Sequence, residues 1–385
     1  MQKALLTTVS AIALSISATA ALASSSTTYD SQEGTGQVAN IDQSGGNYDQ
    51  VGTLGAPFDQ NNGGYWGSNT IAITQTSSYN TFGVSAASFQ SGANNGAIID
   101  QYGYNSGVAL QQIGVNNGAA AYGLTSGDQS NPGTALWTNS YYGGIVVQDA
   151  TANSSNVFLA QSGTANIFDI GQGGYNNSVN ATQTGTNELY IRQGTWLSVW
   201  YAPLGSSPGN DGTITVNQNG GGLLFNTNYA ALAQGGGDAN SMTVTQVGYA
   251  NSVDVNQNGS NNVFSSNQTG SGNFVGGEAG WPIISSVPAA LSVPISQNGT
   301  GNQYYNNQVG TNAIAMASQV GDYNYVYNYQ SGNDNTIIGA QNGVGNQVSS
   351  WQTGANDALS YTQVGSNNFI SNSQSGSGNT VTIKQ

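Results

Sequence analysis

The stretch NTIIGAQNGVGNQVSSWQTGANDALSYTQVG, Asn335 to Gly365, repeats itself every eleven residues. Gln341, Gln352 and Gln363 mark the beat, and Gly343, Gly354 and Gly365 follow two residues after each. Over the last part of the chain the same spacing places Gln297, Gln308, Gln319, Gln330, Gln374 and Gln385 on one series. Gly299, Gly310, Gly321, Gly332 and Gly376 complete the glycine series. Five residues after the glutamine comes asparagine in most units: Asn302, Asn324, Asn335, Asn346, Asn368 and Asn379. Ala313 and Asp357 stand at that position in the other two, each with an asparagine one place earlier.

The seven residues from Asn to Gln alternate in character. In NSVDVNQ, Asn251 to Gln257, Val253 and Val255 share one face, with Ser252, Asp254 and Asn256 on the other. Period two over such a length predicts a half-buried β-strand. The four residues x-Gly-x-x then read as a tight turn in which glycine takes a positive φ without steric cost. Two such units make a strand–turn–strand–turn rung of about 22 residues. A meander of hairpins is one way to fold it. The constant spacing favours a β-solenoid, in which each residue stacks on its equivalent one rung along. Glutamine and asparagine then close the two ends of every inward face. Their amides bond up and down the stack, because a buried amide is costly alone and satisfied in a ladder.

The beat also appears upstream in shorter runs, such as Gln90–Gln101–Gln112, Gln161–Gln172–Gln183 and Gln246–Gln257–Gln268. Interruptions fall at residues 118–147, 194–217, 219–233 and 274–296 and read as spacer loops leaving a repetitive body. The expected organisation is a signal peptide over 1–23, interrupted repeats over 24–296, and a regular solenoid over 297–385. Lys3, the apolar run after it and the small residues Ala21 to Ala23 carry the signal-peptide reading. It predicts export.

Composition narrows the function. Only 5% of residues are charged, Gly numbers 55, and His and Cys are absent. Beyond Lys3 the cations are Arg192 and Lys384, against 17 acids, so no basic footprint for nucleic acid exists. Without His or Cys, and with scattered carboxylates, no nucleophile–base pair is visible and Arg192 stands alone. The reading is of a non-enzyme with no catalytic residue, cofactor or metal.

The unit resembles the curlin repeat, Ser-x5-Gln-x-Gly-x-x-Asn-x5-Gln, of curli fibre subunits. NYVYNYQSGNDNTIIGAQ, Asn324 to Gln341, matches it with Asn in place of Ser. The resemblance implies an exported structural subunit of an extracellular amyloid fibre, self-assembling and serving adhesion and biofilm matrix. It also implies a nucleating minor subunit and a dedicated secretion pore as partners. This chain is longer, and its repeats are more interrupted, than is usual for curlins.

In a solenoid, the inward positions of the last rungs are Tyr304, Val326, Val348 and Ile370 on one sheet. On the other they are Ala315, Ile337, Leu359 and Val381. Outward, the first sheet shows Tyr305, Tyr325, Tyr327, Tyr329, Trp351 and Phe369. The second shows Ile314, Met316, Thr336, Ile338, Ser360, Thr380 and Thr382. The aromatic face reads either as a contact surface, for lateral packing or a glycan, or as cross-strand stacking that stabilises the sheet. The last strand, NTVTIKQ, closes on the beat with no visible cap, and Lys384 reads as a brake on premature assembly; Asp322, Asp334 and Asp357, at or near turns, read either as further brakes or as the ordinary turn preference of aspartate. The rival reading is a monomeric solenoid adhesin whose spacer aromatics, Trp137, Tyr141, Tyr142, Trp196, Trp200, Tyr201 and Trp281, bind glycans.

Overall fold

The computed structural model describes residues 26–33, 37–43, 48–61, 69–93, 95–115, 117, 144–148, 152–164, 166–193, 209–220, 227–276 and 295–385. The segment 1–23 read as a signal peptide and all seven spacer aromatics named above lie outside them.

Among the described residues the secondary structure is all β. Successive strand positions, some of them held by two short strands, alternate between two sheets, and every strand pair within a sheet is parallel and in register. This is a β-solenoid, and the hairpin alternative is excluded because a meander pairs antiparallel. Both sheets run without a break from the first described strands, through the interrupted half, to Phe369–Ser377 in the first sheet and Thr380–Lys384 in the second.

The core is one layer between the sheets. Tyr304, Val326, Val348 and Ile370 face inward from the first sheet and Ala315, Ile337 and Leu359 from the second, all buried, with Val381 partly buried on the last strand. The thin layer still fits large rings by complementary size. Tyr361 points inward, and Gly339 on the preceding strand is what makes room, since a Cβ there would enter the Tyr361 ring. Tyr304 stacks on Phe264 of the rung before, with ring centroids 5.5 Å apart.

Three features differ from the sequence reading. First, the strands outlast the glutamine. Tyr325–Asn333 pairs with Gln347–Ala355 through Gly332 and Gly354, because the bent turn residues still aim their N–H and C=O along the stack. Second, a further residue in each turn, just before the asparagine position, takes a left-handed conformation. Asn312, Tyr323, Asp334, Asn356 and Asn367 have φ of 55 to 58° there, and Gly301, Gly345 and Gly378 share the site. Asn312 and Asn356 are therefore not displaced ladder asparagines; they occupy the position that asparagine and glycine tolerate best. Third, the regions read as interruptions hold strands, namely Gly144–Gln148, Thr213–Gly220 and Asn228–Gly235. The spacer at 277–294 splits a strand position in two, with Phe274–Val275 and Ile295–Asn298 both pairing with Ile314–Val320.

Candidate functional site

The glutamines converge into two lines of amides. In the first sheet the line runs from Gln32 through Gln60, Gln90 and Gln112 to Gln374, each Nε2 donating to the Oε1 of the next rung. In the second it runs from Gln43 through Gln75, Gln101 and Gln148 to Gln385. The donor–acceptor distances span 2.6 Å to 3.0 Å. In the late rungs partners are 22 residues apart, as for Gln330 and Gln352. Where a spacer intervenes the step lengthens, to 49 residues between Gln112 and Gln161, and the bond is kept.

In most rungs the glutamine's second N–H crosses to the opposite sheet. Gln352 donates to the Thr336 carbonyl and Gln341 to that of Tyr325. One amide thus satisfies both donors and its acceptor inside an apolar layer and ties the sheets together at the turn. The ladder has a direction. All the bonds point the same way, and aligned amide dipoles strengthen one another.

The asparagines form part of the expected side-chain ladder, as from Asn251 to Asn228 and from Asn273 to Asn251, and they also bind the backbone. Asn324 Nδ2 donates to Asn302 Oδ1, but also to the carbonyl of the turn glycine Gly343. Its own Oδ1 accepts the backbone N–H of Asn346, whose Oδ1 in turn accepts that of Asn368. Asn335 likewise holds the Gly354 carbonyl. These side chains clamp the backbone of one turn to the next, which explains the paired spacing of Asn and Gly. Asp357, read as a turn acid, is instead fully buried in this line. Its Oδ1 accepts both the backbone N–H and the Nδ2 of Asn379, and the acid serves as an asparagine with acceptors only. Asp334, one residue off the line, sits in the left-handed turn site, and Asp322 accepts the N–H of Thr300.

All eight turn glycines of the last units have positive φ, from 103° at Gly321 to 140° at Gly310. They stack directly. A Cβ on Gly310, Gly332 or Gly354 would meet the carbonyl oxygen of the glycine on the following rung.

Six aromatic side chains gather on the outer face of the first sheet, within the last rungs. Tyr305 and Tyr325 have ring centroids 5.7 Å apart, and Trp351 lies 5.7 Å from Tyr327 and 4.9 Å from Tyr329. Trp351 and Phe369 are the most exposed of the group. Replacing Tyr325, Tyr327 and Tyr329 together by Ser separates the two readings of this face: as a contact surface it would lose self-association or adhesion with the fold's stability unchanged, as read by sedimentation and thermal unfolding. Loss of stability would assign the rings to cross-strand stacking instead.

The second sheet's outer face is more closed. Met316, expected outside, is buried, as are Asp169 and Arg192. Arg192 is not alone: its guanidinium bonds Asp169 Oδ2 at 2.6 Å and the Asp169 carbonyl at 3.1 Å. Removing one member of such a pair leaves a buried charge unmatched. Nothing in the sequence beat marks this pair, because its partners lie 23 residues apart on neighbouring rungs.

Two acids mark the first rungs. Asp30 faces inward in register with Phe58, and Asp49 occupies the asparagine line with its Oδ1 accepting the N–H of Asn80. Burial pushes both carboxyls up to about 6, against opposing hydrogen bonds from Ser31 and Asn80 respectively. The ordinary carboxylate value is about 3.9. The folded chain therefore holds extra protons between these values, and the stability of these rungs rises as pH falls from about 6 towards 4. Asp49→Asn, which installs the residue found at Asn80, should remove its share of that dependence. At pH 7 it should stabilise these rungs by ~1 kcal/mol once solvent screening is allowed for. Hydrogen exchange of the Asn80 and Thr81 amides at pH 5 and 7 measures it.

The fold and the two lines of amides define a two-sheet parallel β-solenoid built on an internal amide register. Compared with models of known protein families and with curated proteins, the chain matches none.

Proposed function

We propose that the protein is a structural subunit of an extracellular, curli-like amyloid fibre, exported and assembled by stacking one copy's rungs on another's, in the service of adhesion and biofilm matrix. The single observation that carries this reading is the amide ladder. It is the same at every described rung, so a further copy meets the register that each rung already meets within the chain. Sheets with unpaired outer strands template addition. Within the stack each strand, such as Gln347–Ala355, pairs in the same register on both sides, which is the register a further copy would extend. The resemblance of Asn324 to Gln341 to the curlin repeat supports the same function and, with it, a nucleating subunit and a secretion pore as partners.

The test is assembly of the full chain from denaturant, followed by thioflavin fluorescence and fibre diffraction. Seedable fibres with reflections near ~4.7 and ~10 Å are the expected result. A stable soluble monomer with β-type circular dichroism would overturn it and favour a glycan-binding adhesin.

A further inference from the structure

Three tyrosines form a row along the turn edge that leads from the second sheet into the first. Tyr48 precedes Asp49 and the strand Gln50–Val51, and Tyr79 precedes Asn80 and the strand Thr81–Phe82. These two strands pair in register. The rings of Tyr48 and Tyr79 stack, with centroids 5.2 Å apart and planes inclined by 18°. Tyr104, one rung further, meets Tyr79 edge to face at 5.5 Å and 70°. All three side chains are about half exposed, at 53%, 44% and 48% in that order, so a reagent in solution reaches them.

The first two rings are held there against the preference of their own backbone. Tyr48 and Tyr79 both have φ of 62°. In other rungs Asn105, Ser154, Asn176, Asp211 and Gly301 take this left-handed turn position. The left-handed region suits such small residues and strains a bulky one. Neither the amide lines nor the core layer calls for a ring at these two places, and strained residues of this kind cluster at functional positions.

The phenol is the reactive group of the row. It loses one electron and one proton to become a tyrosyl radical, and two such radicals in contact couple. The chain has no Cys, so no disulfide ties one rung to another.

We propose that Tyr48 and Tyr79 form an oxidative cross-linking site, at which hydrogen peroxide and a haem peroxidase join the two rings as an intrachain dityrosine that staples neighbouring rungs. Each phenol gives up its hydroxyl hydrogen, and the peroxide is reduced to two waters. One C–C bond forms between ring carbons ortho to the two oxygens. The hydrogens on those carbons move to the oxygens and restore both phenols, so the product is two hydrogens lighter than the pair. Stacking supplies the selectivity. Near-parallel rings bring ortho carbons against ortho carbons, whereas in the pair Tyr79–Tyr104 the edge of one ring meets the face of the other. Tyr175 and Tyr323, at 53% and 65% exposed, are as open as Tyr48 or more so but stand outside the row. The site goes beyond the fibre reading and does not depend on it.

The full chain at low concentration is treated with hydrogen peroxide and a haem peroxidase, digested and mapped by mass spectrometry. Tyr48→Phe, Tyr79→Phe, Tyr104→Phe and Tyr175→Phe are treated alongside. Phenylalanine keeps the ring and its stacking but has no hydroxyl hydrogen to lose, so the fold is preserved. The expected product is an intrachain peptide pair joining Tyr48 to Tyr79, lost in Tyr48→Phe and Tyr79→Phe and retained in Tyr104→Phe and Tyr175→Phe. A dityrosine that survives Tyr79→Phe, one that maps chiefly to Tyr79–Tyr104, or one that forms only between chains and rises with protein concentration overturns the site. Hydrogen exchange then tests the staple. The amides of Gln50 and Gly52 donate to the carbonyls of Asn80 and Phe82 on the next rung. In the linked protein their exchange should slow roughly tenfold or more, because the link constrains the opened chain as a disulfide does. Unchanged exchange in fully linked chains overturns the stapling role.

Discussion

Gly354→Ala should be among the most damaging single substitutions in the regular half, at about 3 kcal/mol or more. Two costs add. The backbone φ of Gly354 is +137°, a conformation an L-residue adopts only under strain of about 1–3 kcal/mol. The added Cβ also meets the carbonyl oxygen of Gly376 on the next rung, so rung spacing itself must give. The molecule contains its own control. Gly376 has φ +116°, but a Cβ there meets only Asn379 Nδ2 at 3.7 Å. Gly376→Ala thus carries the backbone cost without the collision. Urea unfolding of the soluble chain, or hydrogen exchange in the flanking strands, should rank Gly354→Ala well above Gly376→Ala in damage. Equal effects would mean that turn stacking contributes nothing and that φ alone explains the glycines.

Gln341→Leu is expected to cost about 2–4 kcal/mol, although leucine fits the apolar layer better than glutamine does. The substitution leaves Gln363 Oε1 without its donor and frees the Tyr325 carbonyl, each a buried group worth about 1–3 kcal/mol when unsatisfied. Gln319 keeps one partner, the Gln303 carbonyl, and loses the other. The same change at Gln385, which is exposed and ends the described ladder, should cost far less. The comparison separates the worth of a ladder amide from that of its side-chain volume. If Gln341→Leu proved neutral by thermal and chemical unfolding, the ladder would be a marker of register rather than a source of stability. Because a solenoid's stability is nearly a sum over neighbouring rungs, the loss should appear as local opening around Gln341 before global unfolding.

Much of this was written openly in the chain. The spacing of Gln341, Gln352 and Gln363 specified the rung step and the inward face, because period two and period eleven admit few other arrangements, while the strands themselves run on past the glutamine. The inward columns Tyr304–Ile370 and Ala315–Leu359 follow from the same alternation and are buried as that alternation implies. The upstream half was harder to read. Gln148, Gln193, Gln218 and Gln234 belong to the ladders but fall off the beat, since a spacer of any length can be inserted without disturbing the stack. Their signal was local: strands such as NELYIRQ, Asn187 to Gln193, keep the Asn-to-Gln unit intact. The second left-handed turn residue was also visible, in the run of Gly301, Asn312, Asp334, Gly345, Asn356 and Asn367. It was hidden by the asparagine line beside it.

The sequence by itself determined the all-β class, the alternation, the glutamine lines and the glycine turns, because each depends only on neighbours close along the chain or at a constant step. The tertiary structure alone decided the rest. Parallel stacking made Gly354 touch Gly376, added a backbone clamp to the asparagine ladder, buried Asp357, and brought Arg192 onto Asp169. These contacts run along the stack, between residues whose separation the spacers set arbitrarily. Only the three-dimensional register, enforced rung by rung through its amides, says which residues meet.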